Sequence, residues 1–508
     1  MSNENQKCPV LERAVYGFGD LASCLFWQTI TLYLLFFYTD VFGMAAAAAG
    51  IMIGVSRLLD AFFDVVIGMT ADRTSTRWGK FRPYLLWMAV PLAVSAILAF
   101  TTPSFGGAAK MVYAYVTFIF FMFMYSAINI PYTALLGVIS GDPVERTSAS
   151  SFKFIGAYVG GFIVSATALP MARYFGHDGA DPQKGWHMTL LIYGVAAVVL
   201  FLITFLMTHE RITPIAKERT SIARDLGDLT QNVPWMLLFA ATILFILFVC
   251  IRMSVTTHYF KYYIGEQVVP WLVRLTNFLI PLVNLIVSFI NVPLGWFGKV
   301  IDPYQALAID HKFGFEVLAS IFNTVGQALA ILGVILVPWF AKVCGRKNAL
   351  IILFVTALIC TGSFYFFKPE NLPLIFAFQT IGSLAGGPIS ALLWVLYADT
   401  ADYSEWKTGR RATGLVFSAS IMSNKLGWTI GSVIAGVILA STGFVANVAQ
   451  NADVQNGLKA MMSVIPVAIG VVALIVLLFY KLDEPTMAKI KADLDERRKA
   501  SEAGTANA

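Results

Sequence analysis

The 508-residue sequence predicts an all-α polytopic membrane protein with twelve transmembrane helices in two six-helix bundles. Three observations lead there. Hydrophobic residues make up 58% and charged residues 13%, about half the charged share of a soluble domain. Apolar runs of about 20 residues, long enough to cross hydrocarbon, recur along the chain. Basic residues gather on alternate connections between those runs.

The first six runs lie near 14–39, 45–70, 84–102, 111–137, 149–172 and 188–208. A polar linker follows at 209–233. The second six lie near 234–263, 316–341, 349–367, 373–397, 412–441 and 458–480, before a charged tail at 481–508. The domains are therefore an N-terminal bundle (1–208), a linker, a C-terminal bundle (234–480) and the tail, the last expected to be a short amphipathic helix and then disorder. With both termini inside, roughly 23 of the 36 Lys and Arg fall on the inner side and about 7 on the outer. This bias places both termini in the cytoplasm and the protein in the cytoplasmic membrane. The first thirteen residues are polar and carry no signal-peptide pattern.

An apolar insert at 265–315 lies between the seventh and eighth spans. Its stretch 270–298 is apolar enough to cross, but a thirteenth span would carry Lys342, Arg346, Lys347, Arg410 and Arg411 to the outside. A re-entrant or interfacial hairpin broken at Pro281 and Pro293 keeps the parity, and so would two short spans. Pro131-Tyr-Thr-Ala-Leu-Leu136 matches Pro388-Ile-Ser-Ala-Leu-Leu393, and Asp142 matches Asp399 at the same spacing. Such a repeat of six spans suits two bundles rocking about a midplane site.

The net charge of +6 belongs to the inner loops and suggests no nucleic-acid partner. The five cysteines are scattered and suggest neither disulfides nor a metal site. The stretch Arg57–Arg82 stands out. Asp60 and Asp64 sit four apart in an apolar run, so their carboxylates share one helical face. Two carboxylates in hydrocarbon need a cation, a proton or water. The run then turns abruptly basic. We expect a cation site joined to a gate, in which Asp72, Arg73, Arg77, Arg146, Asp399, Asp402, Glu405, Lys407 and Arg410 form breakable pairs on the inner side.

Gly68-Met-Thr-Ala-Asp72-Arg73-x-x-x-Arg77-x-Gly79-Lys80 resembles the inner-loop signature of the major facilitator superfamily. Tyr16-Gly-Phe-Gly19, Tyr38-Thr-Asp40, Arg57-x-x-Asp60-x-x-x-Asp64, Ile130-Pro131-Tyr132, Ala398-Asp399-x-x-Asp402-Tyr403-x-Glu405-x-Lys407 and Lys425 follow in order. Together they resemble the glycoside–pentoside–hexuronide:cation symporters, the melibiose-carrier group. The resemblance implies transport without covalent chemistry or cofactor: a sugar or glycoside moves with a proton or sodium ion, and one chain suffices. It implies that Asp60 and Asp64 bind the cation with Ser126 assisting. Phe63 stands where sodium-using relatives carry an Asn. The substrate positions implied are Cys24 and Asn129, where melibiose-type carriers hold carboxylates, with Tyr125, Lys153, Trp394 and Lys425. Asp20, one turn before Cys24, supplies a displaced carboxylate, and Trp27 is a further aromatic candidate. Arg252 has no sure counterpart and suits a substrate carboxylate or a pair with Asp20. Two other readings are a facilitator fold carrying another cargo, such as a lysolipid, and an intramembrane prenyltransferase using Asp-x-x-x-Asp. The second needs another acidic motif, and 320–341 has no acid.

Overall fold

The computed structural model describes residues 8–104, 106–140, 142–211, 232–268, 312–408 and 413–506. Long helices follow the apolar runs: α1 (Val10–Phe36), α2 (Ala46–Arg73), α3 (Arg82–Ala99), α4 (Gly107–Leu135), α5 (Pro143–Phe175) and α6 (Pro182–Met207). In the second half come α7 (Val233–Tyr259), α8 (Phe315–Cys344), α9 (Arg346–Ser363), α10 (Leu372–Thr408) and α11 (Thr413–Ser441). The last span is two pieces, α12 (Ala452–Met462) and α13 (Val464–Leu478), and the tail is α14 (Glu484–Ala506). Among the described residues, eleven spans are long and apolar enough to cross a membrane. The twelfth crossing helix is α2, 28 residues long, whose apolar run is interrupted by Arg57, Asp60 and Asp64. The tail is helical through Ala506, further than the short helix expected.

The insert falls largely outside the described residues. Its ends do not: β1 (Gln267–Val268) pairs antiparallel with β2 (Lys312–Phe313). The chain thus leaves and returns side by side, which fits the parity the basic residues require.

The described chain forms two compact units. The first holds 1–215, 253–327 and 432–458; the second holds 216–252, 328–431 and 459–508. In the first, α1 lies against α5 and α6, and α4 against α2 and α3. The α1–α5 contact is close because glycines line it: a Cβ on Gly156 would run into the carbonyl of Gly17. Tyr16 and Tyr132 then join α1 to α4. Each hydroxyl donates to the other residue's backbone carbonyl, at 3.0 and 2.7 Å, with the rings stacked at 4.7 Å. The first unit also contains the ends of α7, α8, α11 and α12 that lie opposite the termini.

In the second unit α9 packs on α10 and α13. Trp235, Phe245, Phe354, Leu392, Tyr397 and Leu477 belong to one buried apolar cluster. Met487, Ile490 and Leu494 extend that cluster from α14 at helical spacing, so the tail presents one apolar face to it.

Candidate functional site

The first unit gathers most of the expected site. The stripe of α1 that remains partly exposed is Asp20, Cys24, Trp27 and Gln28, while Ser23, Leu25, Phe26 and Thr29 are buried. Those spacings put the four on one helical face. The close α1–α5 contact sets Lys153 near Asp20 and Cys24, within electrostatic reach of both. Lys153 lies over the Tyr132 ring at 5.5 Å, with its ammonium 3.4 Å from the Thr133 hydroxyl.

On the other side of that stripe, Trp27 stacks on Tyr125 of α4 with centroids 5.4 Å apart. Asn129 stands one turn on from Tyr125, its amide close to the Tyr125 hydroxyl. The Arg57 guanidinium lies 5.2 Å from the Trp27 ring centroid. Aromatic face, amide and cation therefore converge from three helices.

Asp60 and Asp64 are one and two turns beyond Arg57. Ser126, the residue after Tyr125, reaches both: its hydroxyl oxygen is 2.5 Å from Asp60 Oδ1 and 2.8 Å from Asp64 Oδ1. A hydroxyl has one hydrogen to donate. That hydrogen can go to only one of the two carboxylates at a time. The two carboxylate oxygens lie within about 5 Å of each other, where two full negative charges repel by roughly 3 kcal/mol at an effective dielectric of about 20. Phe63, beside the second acid, packs edge-on against Phe123 at 5.2 Å, and its ring brings no ligand oxygen.

Three expected substrate residues lie in the second unit. Trp394 is partly exposed on α10 and lines a shallow groove with Thr242, Ser390, Tyr397 and Asn424, beside Lys425 in sequence. Arg252 is held in place: it donates to Gln379 Oε1 at 2.6 Å and lies over Phe364 at 4.9 Å.

The expected gate residues sit at the termini end. Arg73 closes α2, and Arg77 lies over the neighbouring Trp78 at 4.5 Å. Arg146 is in the first turn of α5, whose N-cap is Asp142. Asp399 accepts from Arg346 at 2.7 Å, Lys407 lies over Tyr403, and Asp402 and Glu405 share the end of α10. The Asp72 side chain and Arg410 are outside the described residues.

Sequence reasoning missed the acids that hold these ends. Glu210 accepts from the backbone N–H groups of Lys80, Phe81 and Arg82, at 2.8, 2.6 and 2.8 Å, and so caps α3. Glu12 takes both ends of the Arg211 guanidinium at 2.7 Å. Glu484 of the tail accepts from Arg346 Nε at 2.8 Å, and that bond holds its carboxyl below the usual carboxylate range. An acid just outside each span was the available signal.

It also missed the cluster at the opposite end, of which only Asp40 was in a quoted motif. The Asp40 and His258 side chains are fully buried. Asp40 accepts from Thr39 at 2.7 Å and Lys261 at 2.8 Å, lies 3.3 Å from His258 Nε2, and accepts from Tyr262. Asn447, from the loop after α11, donates to the Asp40 carbonyl and accepts from Lys261, both at 2.7 Å. The end of α1 is thus tied to α7 and to that loop.

The chain matches the family described as MFS/sugar transport protein over residues 15–299 and 308–484. It is 34% identical to an isoprimeverose transporter of Lactiplantibacillus pentosus, covering 96% of this chain and 92% of that one. It is 31% identical to a putative glycoside/cation symporter, YagG, of Escherichia coli (strain K12), covering 96% and 95%. Among solved structures, a bacterial homologue of the lysosomal transporter Spinster aligns with a TM-score of 0.63 at 13% identity, over 96% of this chain and 99% of that one. The nucleoside transporter NupG aligns at 0.56 and 15%, over 93% and 99%. These two likenesses establish the major facilitator fold. The chain belongs to the MFS/sugar transport family, within its glycoside–pentoside–hexuronide:cation symporters, and is a multi-pass membrane transporter that moves a sugar or glycoside with a cation.

Proposed function

We propose that this protein is a proton-coupled glycoside symporter of the cytoplasmic membrane, in which Asp60, Asp64 and Ser126 carry the coupling proton. The observation that supports the proton is the Ser126 hydroxyl, which has one hydrogen for two carboxylate oxygens at hydrogen-bond distance. A proton shared by the pair completes that arrangement. A sodium ion, a hard cation, is held by several oxygens, and the Phe63 side chain offers none. Ser126 follows Tyr125 in α4, so a proton at the pair and a sugar on Tyr125 and Trp27 act on one helix segment.

In the first unit the sugar is held by Asp20, Cys24, Tyr125, Asn129 and Lys153; in the second, the family resemblance implies Trp394 and Lys425 as substrate residues. Bundles 1–208 and 234–480 alternate access, with the termini and the gate residues on the cytoplasmic side. The Asp40 cluster closes the opposite, outer side. One chain is sufficient for this cycle.

The test is uptake into proteoliposomes. An inward proton gradient should drive accumulation of a labelled glycoside, and a sodium gradient at fixed pH should not. Equal accumulation under sodium alone would overturn the proton assignment and leave the symporter standing.

A further inference from the structure

We infer that an amide-lined wall between α1, α5 and α8, made by Gln28, Gln327 and Asn323 around Gly161, selects an uncharged glycoside over a hexuronide. The inference rests on the glycoside reading above and narrows it.

The geometry is local to the first unit. Gly161 is buried on α5, one residue beyond the glycine that packs against Cys24. A Cβ placed on Gly161 would lie 3.2 Å from Gln327 Nε2 and 3.8 Å from Gln28 Cδ. Two primary amides from two other helices therefore meet where α5 has no side chain. Gln28 continues the partly exposed stripe of Asp20, Cys24 and Trp27, so the wall continues the helical face that carries them.

One turn earlier on α8 stands Asn323. Its amide nitrogen is buried and faces the Tyr33 hydroxyl of α1, yet neither makes a hydrogen bond of ordinary geometry. Buried polar groups left this way cost stability. A ligand hydroxyl, which both donates and accepts, would satisfy them. Amides also donate and accept, which suits hydroxyls on a sugar ring.

The wall carries no charge. A carboxylate brought against it would be desolvated without a cation to match it. Lys153 lies with Asp20. Arg57 lies over Trp27 on the helix that carries Asp60 and Asp64, and Arg252 is bonded to Gln379 in the second unit. Against the three amides themselves a neutral C5 substituent fits and a carboxylate does not.

Three probes share an aglycone and differ only at C5: p-nitrophenyl β-glucoside, β-xyloside and β-glucuronide. Each is tested for proton-driven uptake and mutual competition in proteoliposomes holding the full-length protein. The wild type should favour glucoside or xyloside over glucuronide by at least about tenfold. Gln327→Leu should raise the glucoside KM about tenfold while accumulation at saturation is kept. Gln327→Arg should invert the preference toward glucuronide. Gly161→Ala, which a helix accepts readily, crowds the Gln327 amide and should raise KM severalfold, so the inference stays testable if a Gln327 variant fails to insert. A wild type that takes glucuronide as well as glucoside overturns the inference, as does an unchanged KM in Gln28→Leu, Gln327→Leu and Gly161→Ala. No uptake of any of the three would sink the glycoside reading itself, and this inference with it.

Discussion

The first unit holds two buried carboxylate sites that solve the same problem in opposite ways. Asp40 brings its own partners: the Lys261 ammonium and the His258 ring lie within 3.3 Å, and Thr39 and Tyr262 donate to it. Asp60 and Asp64 are two acids gathered on one hydroxyl. A carboxylate satisfied by fixed residues gains nothing from a mobile ion, so it serves as a tie. Two acids that meet at one hydroxyl change their energy whenever a proton arrives, so in the proposed cycle they serve as the coupling site. Each holds a buried carboxylate, Asp40 or Asp60, and what separates them is that Asp40 is paired with a lysine whereas Asp60 meets a second acid at Ser126.

The largest expected effect breaks the coupling site. Asp60→Asn replaces one carboxylate with a neutral amide that no longer takes up the proton. Concentrative uptake should fall to an accumulation ratio of about one, with facilitated equilibration retained. Surface biotinylation and counterflow would separate that from poor insertion. Concentrative uptake equal to the wild type would remove Asp60 from the site.

Next in size is the tie. Asp40→Asn leaves the partly exposed Lys261 and the buried His258 without their carboxylate, and breaking a buried pair costs up to about 3–5 kcal/mol. Thermal unfolding in detergent should drop accordingly, and cysteines placed near Asn447 should become more reactive from the outside. Lys261→Met added to Asp40→Asn should recover part of the loss, because the double variant leaves fewer stranded charges. Equal stability of Asp40→Asn and wild type would mean the cluster is a surface ornament rather than a tie.

These two sites also differ in how far the sequence disclosed them. Asp60 and Asp64 were legible because helical periodicity alone puts them on one face, and acids in an apolar run are costly. Ser126 came only through the family resemblance, since nothing in α4 marks one serine among its neighbours. The Asp40 cluster was half legible: its partners His258, Lys261 and Asn447 are 218 to 407 positions away, and no local pattern encodes a contact of that range. The spans themselves were nearly all readable, because hydrocarbon imposes one length on every crossing helix. The repeat was readable in Pro131 and Pro388, which both sit inside helices, α4 and α10. It misleads at the next match: Asp142 caps the following helix, whereas Asp399 remains within α10 and pairs with Arg346.

A smaller effect probes the coupling site from its hydroxyl. Ser126→Ala removes the one hydrogen shared by the acids but leaves both acids in place. Proton affinity should change by about 1–2 kcal/mol, a roughly tenfold shift seen as a displaced pH profile of uptake rather than as lost uptake. A profile that does not move would assign the hydroxyl to packing alone.

The smallest effect lies on the tail, where a third carboxylate sits half in water. Glu484 accepts from Arg346, which also donates to Asp399, so one guanidinium joins α14 to α10. The bond to Arg346 holds the folded-state pKa of Glu484 below its usual 4.5. A depressed carboxyl stabilises the folded state fully above its unfolded value and loses that contribution as pH falls through the folded value. Solvent screens a pair this exposed, so Glu484→Gln should cost only ~0.5 kcal/mol near neutrality. The deficit should shrink toward zero as pH falls below about 4. Denaturation of the two proteins measured side by side across that range would show it. A gap that stays constant with pH would mean that the tail is held by Met487, Ile490 and Leu494 alone, and that the ion pair, unlike the one around Asp40, adds nothing.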